Sequence, residues 1–372
     1  MVLYFWRYVI PDAIHYSSAE PYYSCQLAAD AFESLVWCER YQDYGEFVLT
    51  MQATPELFGF LRGGAFLISR EDTSRVMIPE ILTLKTSADG DRITLTGYSG
   101  EGLMRRRIAS QKGTEIRTPA GMIDYYMREN IASHWYYNQD GDHIKSDVSP
   151  YYSRYCNTIV HGTDTAGADG LMTAAPFGKI LGDFVFDACK AHQFGFKMEF
   201  DGKNLVYSCF HGVDRSISQR LYDAVIFSEE FQNIGSTEFV YSLDGFVQHA
   251  IAGGSGTGTD RADADAFRFM RTSYGRGCNL RELFVDASGT DAAALESAAR
   301  NAMDATNQTL KFTVECSPSG PFRYRQHYFL GDTVTVRNRY GITGSALVSE
   351  VVETVDAEGY KVIPTFSEVV VT

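Results

Sequence analysis

Residues 200–241 constrain the fold more than any other stretch, because short apolar runs alternate there with turn residues. The order is strand, turn, strand, a polar Gly-Val-Asp-Arg-Ser loop, an apolar strand ending in Phe-Ser, and an Asn-Ile-Gly step into another strand. This pattern predicts closely spaced β-strands. The stretch contains no arrangement of side chains that is typical of catalysis. A specific backbone pattern without catalytic chemistry indicates a structural part.

The first hundred residues are predicted to be almost wholly β-structure, in a small barrel or sandwich. Four apolar runs separated by turn residues cover residues 45–51, 65–70, 75–87 and 92–99. The Asp89-Gly90 pair predicts a tight hairpin, because glycine reaches the positive φ that such turns need. We also expect a helix over residues 26–37.

Helical patterns begin after the first hundred residues. Residues 118–135 predict a helix with Thr118 as its N-cap. Residues 178–196 predict a second helix that Gly195 ends, and the alanine-rich residues 290–309 predict a third.

The remaining chain alternates between loop and strand. The glycine-rich residues 253–266 predict an exposed, mobile loop. The last 60 residues return to β-structure, including a predicted strand over residues 322–329. The whole chain is therefore expected to be β-rich with inserted helices.

Composition argues against nucleic-acid and anionic-membrane binding. The chain has 372 residues, of which 45% are apolar, enough to bury the cores of roughly two to four domains. There are 47 acidic and 33 basic residues, a net charge of −14. Nucleic-acid affinity comes largely from neutralising phosphates, so we expect no tight binding to DNA.

Cysteine use and hydropathy limit the cellular compartment in which the chain is expected to be made. The seven cysteines are an odd number without metal-ligand spacing, which indicates buried thiols in a protein made in a reducing cytosol. No run reaches the roughly 20 apolar residues of a membrane span. Arg7 and Pro11 interrupt the first apolar run, so no signal peptide is expected.

The most suggestive polar cluster is His211 with Asp214 and Arg215. A histidine with a carboxylate partner can act as a general base if a nucleophile lies close, and Ser216 and Ser218 are near in the sequence. The cluster falls in a turn between strands, which favours a loop held by an Asp-Arg pair. We therefore interpret these residues as turn-fixing and predict no catalytic residue.

Two groups of acidic residues resemble calcium sites. They are Asp260, Asp263 and Asp265 in the glycine-rich loop, and Asn138, Asp140 and Asp142 around Gly141. Both offer oxygen ligands, but EF-hand spacing is absent, and a solvated loop and a hairpin turn explain them more simply. The adjacent Glu229 and Glu230 would point apart, so the carboxylate separation of a glycosidase is not indicated. We expect no metal and no cofactor.

Three segments taken together carry a resemblance. They are WCERYQDYGEFVLTM at 37–51, LVYSCFHGVDRS followed by AVIFSEEFQNIGSTEFVYS at 205–242, and the segment from YFLGDTVTVRNRYG to KVIPTF at 328–366. In this order and spacing they resemble the phage tail-hub family, the baseplate hub or tail-tip proteins of siphophages and prophages. The resemblance covers nearly the whole chain.

The resemblance implies an α+β, β-rich fold with two small β-barrel domains and mixed α/β domains inserted between them. The implied domains are a first barrel at 1–100, an α/β domain at 101–196, a second barrel at 197–244 with 310–372, and an insertion at 245–309 that packs with the α/β domain. Changes of composition at residues 101, 197 and 310 agree with these boundaries.

The implied function is structural and not enzymatic. The chain would form a homotrimeric baseplate hub in the virion tail tip, closing the tail and adapting a sixfold tail tube and distal tail ring to a threefold tip. DNA would pass its lumen during ejection, and the net charge predicts an acidic lumen to which DNA does not adhere. Implied partners are the distal tail protein ring, the tape measure protein and tip or fibre proteins. Synthesis would occur in the host bacterial cytoplasm.

Two other functions remain open on the residues alone. The chain could be a tail-associated cell-wall hydrolase or peptidase, with His211 and nearby acids as its site. It could also be a monomeric carbohydrate-binding β protein, for which exposed aromatic side chains would line one groove. Because the chain stops at Thr372 just after its final strand, we expect no lytic or receptor-binding extension.

Overall fold

The computed structural model describes residues 1–9, 22–64, 66–132, 136–137, 143–144, 156, 158–267, 277–306, 309–367 and 369–371. The α-helices are α1 Pro55–Arg62, α2 Pro119–Asn130, α3 Leu181–Ala191 and α4 Ala292–Asp304. The first strands are β1 Leu3–Val9, β2 Tyr22–Ala29, β3 Ser34–Arg40, β4 Glu46–Gln52, β5 Phe66–Arg70, β6 Thr73–Lys85, β7 Arg92–Ser99 and β8 Glu115–Arg117. The next are β9 Tyr136–Tyr137, β10 His143–Ile144, β11 Ile159–His161, β12 Met172–Ala174, β13 Gly195–Phe200, β14 Leu205–Phe210, β15 Ile226–Ser228 and β16 Ile234–Ser242. The last are β17 His249–Gly253, β18 Asp263–Phe267, β19 Glu282–Asp286, β20 Thr309–Cys316, β21 Thr333–Arg337, β22 Thr343–Asp356, β23 Gly359–Phe366 and β24 Val370–Val371.

The chain divides into two compact units. The larger unit comprises Met1–Ser236 and Val314–Val370, and the smaller unit comprises Thr237–Thr313. No described helix is long and apolar enough to cross a membrane.

A sheet of 15 described strands is the main element of the larger unit. Its main path runs β11-β14-β13-β6-β7-β4-β3-β22-β21-β15. The antiparallel pair β3 and β22, with Val36 opposite Thr354, joins the start of the chain to its end. With its many strands and four α-helices among the described residues, the protein is a β-rich α+β protein. The pairings among described residues leave the branched sheet open, so the two closed barrels stay a prediction.

Two hydrophobic clusters of described residues pack within the larger unit. In the first, β4 buries Phe47, Leu49 and Met51 while their neighbours face outward, which is the period-two pattern of a strand covered on one face. In the second core, α2 and α3 pack with β13 and β14, where the rings of Tyr126 and Phe184 lie 4.9 Å apart.

The smaller unit contains a three-stranded sheet in the order β18-β17-β19. β17 pairs antiparallel with β18 and parallel with β19. Small side chains of this sheet, such as Ala250 and Ala252, let α4 pack closely through Leu295 and Ala299. Three two-stranded sheets are also described, which pair β9 with β10, β8 with β12, and β16 with β20.

Several local predictions are confirmed. Gly90 has φ +111° and its N–H donates to the carbonyl of Ser87, as the hairpin requires. Thr118 caps α2, with its Oγ1 accepting from the Gly121 N–H at 3.2 Å. Helix α4 lies within the predicted alanine-rich segment and is capped by Asp291.

Other predictions are wrong. The helix expected over residues 26–37 is replaced by β2 and β3, because alternate residues such as Leu35 and Trp37 are buried against the sheet. The strand expected over residues 322–329 is a turn, in which Arg325 has φ +61°. The loop expected over residues 253–266 ends in strand β18.

Gly195 has a different role from the one predicted. α3 ends at Ala191, and it is Gln193 that adopts the left-handed conformation, with φ +57°. Gly195 starts β13, where a Cβ atom would lie 2.2 Å from the Tyr41 ring. The position excludes any side chain, because an aromatic ring packs directly on the backbone.

We expect Gly195→Ala to lower the free energy of unfolding by about 1–3 kcal/mol, because the new methyl group forces the Tyr41 ring to move. Gly59→Ala in α1 is the matched control. A methyl group added at Gly59 would have no neighbouring atom within 4 Å, so this variant should be more stable by about 0.5–1 kcal/mol. Urea denaturation measures both, and equal stability of the two variants would contradict the packing argument.

Candidate functional site

The loop at residues 211–216 is held by an ion pair, but not by the one predicted. Arg215 Nε lies 2.7 Å from Oδ2 of Asp332, whose side chain is only 2% exposed. Oδ1 of the same carboxylate accepts from the Val213 N–H at 2.8 Å. Asp214 instead accepts from the Ser216 N–H at 2.8 Å within its own turn. The turn-fixing carboxylate is therefore Asp332.

The catalytic arrangement considered for this loop is not assembled. His211 is exposed, and its ring meets the edge of Phe194 with centroids 6.4 Å apart. Ser216 is buried, and its Oγ shares a 2.5 Å hydrogen bond with Ser218 Oγ. In the part of the chain that the structure describes, no hydrogen bond joins His211 to either serine or to Asp214. A base in contact with its nucleophile is thus missing from this loop.

The other acidic candidates are separated or lie outside the described residues. Asp263 and Asp265 lie on β18, and Asp265 Oδ2 contacts His249 Nε2 at 3.0 Å. Glu229 begins a short 3₁₀ turn and lies 3.7 Å from Arg339. No group of three or more potential ligands among the described residues could hold a metal ion. The second calcium-like group, Asn138, Asp140 and Asp142, lies outside the described residues.

A buried ion-pair network is the most distinctive polar feature of the larger unit. Arg325 Nη2 lies 2.7 Å from Glu39 Oε1 on β3 and 2.7 Å from Glu353 Oε1 on β22. Arg70 on β5 has a fully buried side chain, and its Nη2 lies 2.9 Å from Glu353 Oε2. The network therefore connects three strands and the turn that carries Arg325.

Aromatic side chains complete the hydrogen bonding of these carboxylates. Trp37 Nε1 donates to Glu39 Oε1 at 3.0 Å, and the Tyr324 hydroxyl donates to Glu39 Oε2 at 2.9 Å. The Tyr360 hydroxyl donates to Glu353 Oε2. Buried charges are tolerated when they are paired and hydrogen-bonded, and every oxygen of the Glu39 and Glu353 carboxylates accepts at least one hydrogen bond. Arg70 Nη1 is the buried atom of the network that has no hydrogen-bond partner among the described residues.

A cavity of about 290 Å³ adjoins the network, and the three carboxylates that line it each contact a cation. The pairs are Glu39 with Arg325 at 2.7 Å, Asp72 with Arg70 at 2.5 Å, and Glu199 with Lys197 at 2.6 Å. Burial alone raises the pKa of each carboxyl, but the adjacent cations and hydrogen bonds outweigh it, so the net pKa of each lies below its ordinary value. A general acid that works near neutral pH needs the opposite shift. The geometry therefore favours a structural role for the network.

Sequence reasoning missed this network, although a signal for it is present. Glu39 continues the buried phase of β3 set by Leu35 and Trp37, and Glu353 continues the buried phase of β22 after Val351. A charged residue at a buried position of an alternating strand indicates an ion-pair partner. The identity of that partner, Arg325, is a property of the tertiary structure.

The chain matches a siphovirus protein family in sequence and is similar to a phage tail protein in fold. The model of a family described as Siphovirus ReqiPepy6 Gp37-like protein matches residues 19–366. The crystal structure of the tail protein from Neisseria meningitidis MC58 is similar over 92% of this chain and 94% of that chain, with a TM-score of 0.50 and 13% identity. No curated protein sequence matches the chain.

Two prophage tail proteins give lower scores. The 43 kDa tail protein of prophage MuSo2 from Shewanella oneidensis has a TM-score of 0.48 and 12% identity, over 92% of this chain and 95% of that chain. Prophage tail protein gp18 from Listeria monocytogenes EGD-e has a TM-score of 0.47 and 8% identity, over 98% of this chain and 94% of that chain.

We expect Arg325→Met to lower the free energy of unfolding by about 3–5 kcal/mol, because Glu39 loses its nearest cation and Glu353 keeps only Arg70. The control is Arg92→Met, which removes the half-exposed pair with Glu33 and should leave the urea midpoint unchanged. Similar midpoints for both variants would show that the buried network contributes no more than a surface pair.

We expect the protein to lose stability as the pH falls from about 5 to about 3. The pKa of Glu39 is lower in the folded state than its ordinary value of 4.5, so its contribution is complete above that value and is lost as the pH falls through the folded-state pKa. Glu39→Gln should make the pH dependence of the unfolding free energy shallower, whereas Glu230→Gln at an exposed position should not. Parallel profiles for wild type and Glu39→Gln would contradict this assignment.

Proposed function

Because the chain belongs to the family of Siphovirus ReqiPepy6 Gp37-like proteins and shares its fold with a phage tail protein, we propose that it is a structural protein of a phage tail baseplate. The observation that carries the proposal is the family match, which spans residues 19–366. The charge-paired cavity supports it, because its carboxylates serve the cohesion of the fold. Its location would be the distal end of the virion tail.

The proposed role within the baseplate is that of a homotrimeric hub. Three copies would form a ring that closes the tail and adapts a sixfold tail tube or distal tail ring to a threefold tip, and DNA would pass through the ring during ejection. The distal tail protein, the tape measure protein and tip proteins would be its neighbours. The net charge of −14 supports a lumen to which DNA does not adhere.

We further propose that each copy contributes two barrel-like domains to the ring. These would be residues 1–100, and residues 197–244 with 310–372, while residues 101–196 and 245–309 would lie outside the barrels. The β3–β22 pairing supports a close association of the two barrel regions, because one strand comes from each. The described sheet is open, so each barrel would be closed by contacts other than the described strand pairings.

The threefold assembly predicts a particle of three chains in solution. Sedimentation equilibrium of the purified chain should give three times the mass of the monomer. Cryo-electron microscopy of assembled tails should place three copies around the tail axis at the distal end. A ring of six copies, or a position away from the axis, would contradict the hub.

The alternative of a cell-wall hydrolase predicts activity that depends on His211. Zymography on peptidoglycan should show no clearing by the wild-type chain, because His211 has no nucleophile or carboxylate partner among the described residues. Clearing that disappears in His211→Ala, with the mass and stability of that variant unchanged, would overturn the structural assignment.

A further inference from the structure

An ordered loop projects an apolar side chain from the larger unit. The Leu221 loop, residues 216–222, is organised by the amide of Gln219, whose Oε1 accepts from the N–H groups of Leu221 at 2.6 Å and Tyr222 at 2.9 Å. Gln219 Nε2 donates to the carbonyls of Ser216 at 3.1 Å and Tyr222 at 2.9 Å. Four hydrogen bonds from one side chain thus fix the backbone of the loop around Leu221.

The Leu221 loop has the properties of a binding anchor. Leu221 is 88% exposed and is flanked by Ile217, at 48%, and Tyr222, at 49%. Leu221 is the most exposed of the three, and an apolar side chain so fully in water gains free energy when a partner covers it. A loop that is already ordered loses little conformational entropy when it binds, which favours its use as an anchor.

A groove of about 300 Å³ with a mixed polar and apolar lining, called here the α3 groove, lies on the same unit between the 172–176 segment and α3. One wall carries Met172, Ala174 and Pro176, and the other carries Phe184 and Ala191. Among the described residues β12 pairs with β8 alone, so its other edge has no partner strand there.

Exposed apolar side chains also flank the 172–176 segment. Leu171 before it is 71% exposed and Phe177 after it is 56% exposed. Each is adjacent in sequence to a lining residue, so the segment that forms one wall of the groove also carries exposed apolar side chains.

The charges beside the loop and the groove are complementary. Leu221 and Tyr222 stand between the exposed Arg220 and the exposed Asp223. The groove is bordered by one cation, Lys179, and one anion, Asp187, both of them exposed. The loop and the groove therefore each carry one cation and one anion, and the cation of each can pair with the anion of the other.

We propose that the Leu221 loop of one copy of this chain inserts into the α3 groove of a second copy. Arg220 would then face Asp187, and Asp223 would face Lys179, while Leu221 packs against the apolar side chains of the groove, such as Met172 and Phe184. Its exposure of 88% means that Leu221 does not occupy the groove of its own chain. Loop and groove are different surfaces, so the contact is head-to-tail and repeats until a ring closes. This inference rests on the proposed threefold hub and identifies its interface.

The test uses two variants that damage opposite sides of the contact. Leu221→Asp damages the loop, and Ala191→Trp fills the groove from an exposed position on α3. Each variant alone should sediment as a monomer that still unfolds in one cooperative urea transition, at a midpoint no lower than that of wild type diluted until it is monomeric. An equimolar mixture should give a dimer, because an intact loop from one variant meets one intact groove from the other. Tyr340→Asp, at a site 81% exposed outside both surfaces, should remain a trimer.

Charge reversal provides an independent readout. Arg220→Glu with Asp223→Lys should weaken association at least tenfold, and adding Lys179→Glu with Asp187→Lys should restore it. If wild type and both single variants are all trimers, the contact is wrong while the threefold hub stands. If the wild-type chain stays monomeric at every concentration, both the contact and the threefold assembly are contradicted. Monomeric variants whose mixture remains monomeric also overturn the contact.

Discussion

The position of Arg325 between Glu39 and Glu353 is the interaction on which the larger unit depends. Its guanidinium bridges a strand near the start of the chain and a strand near the end, and those strands also pair directly as β3 and β22. Arg325 is the largest of the effects that lower the pKa of Glu39, and such pairing matters because an unpaired buried charge costs several kcal/mol. Hydrogen bonds from Trp37 and Tyr324 then fix the geometry that the cation sets.

This use of buried charge explains why a chain with a charge-lined cavity is best understood as a building element. The Asp332 carboxylate stabilises the 211–216 loop, and the Glu39 and Glu353 carboxylates stabilise the sheet. Each of the three pairs with a cation and accepts hydrogen bonds. Groups so committed are poorly suited to exchanging protons with a substrate. They are well suited to holding a fixed tertiary structure, which is what the proposed structural role requires.

Local signals in the sequence predict local structure in this chain, but they do not predict contacts between residues that are far apart in the sequence. The hairpin at Gly90 and the cap at Thr118 follow from single-residue chemistry and are found as expected. The helix expected over residues 26–37 fails because sheet packing overrides local preference. The assignment of Asp332 to Arg215, 117 residues earlier, could not be derived without the fold, since many carboxylates were equally available.

The pairing of β3 with β22 also orders events during synthesis. β3 leaves the ribosome early, but its partner and the Arg325 turn are made only after the smaller unit at Thr237–Thr313 has emerged. Until then β3 lacks its partner strand β22, and Glu39 lacks its partner Arg325. An unpaired strand edge of this kind can pair with other chains. We therefore expect the smaller unit to fold before the sheet of the larger unit is complete. Nascent chains made from the same messenger RNA should need protection against pairing with each other through β3.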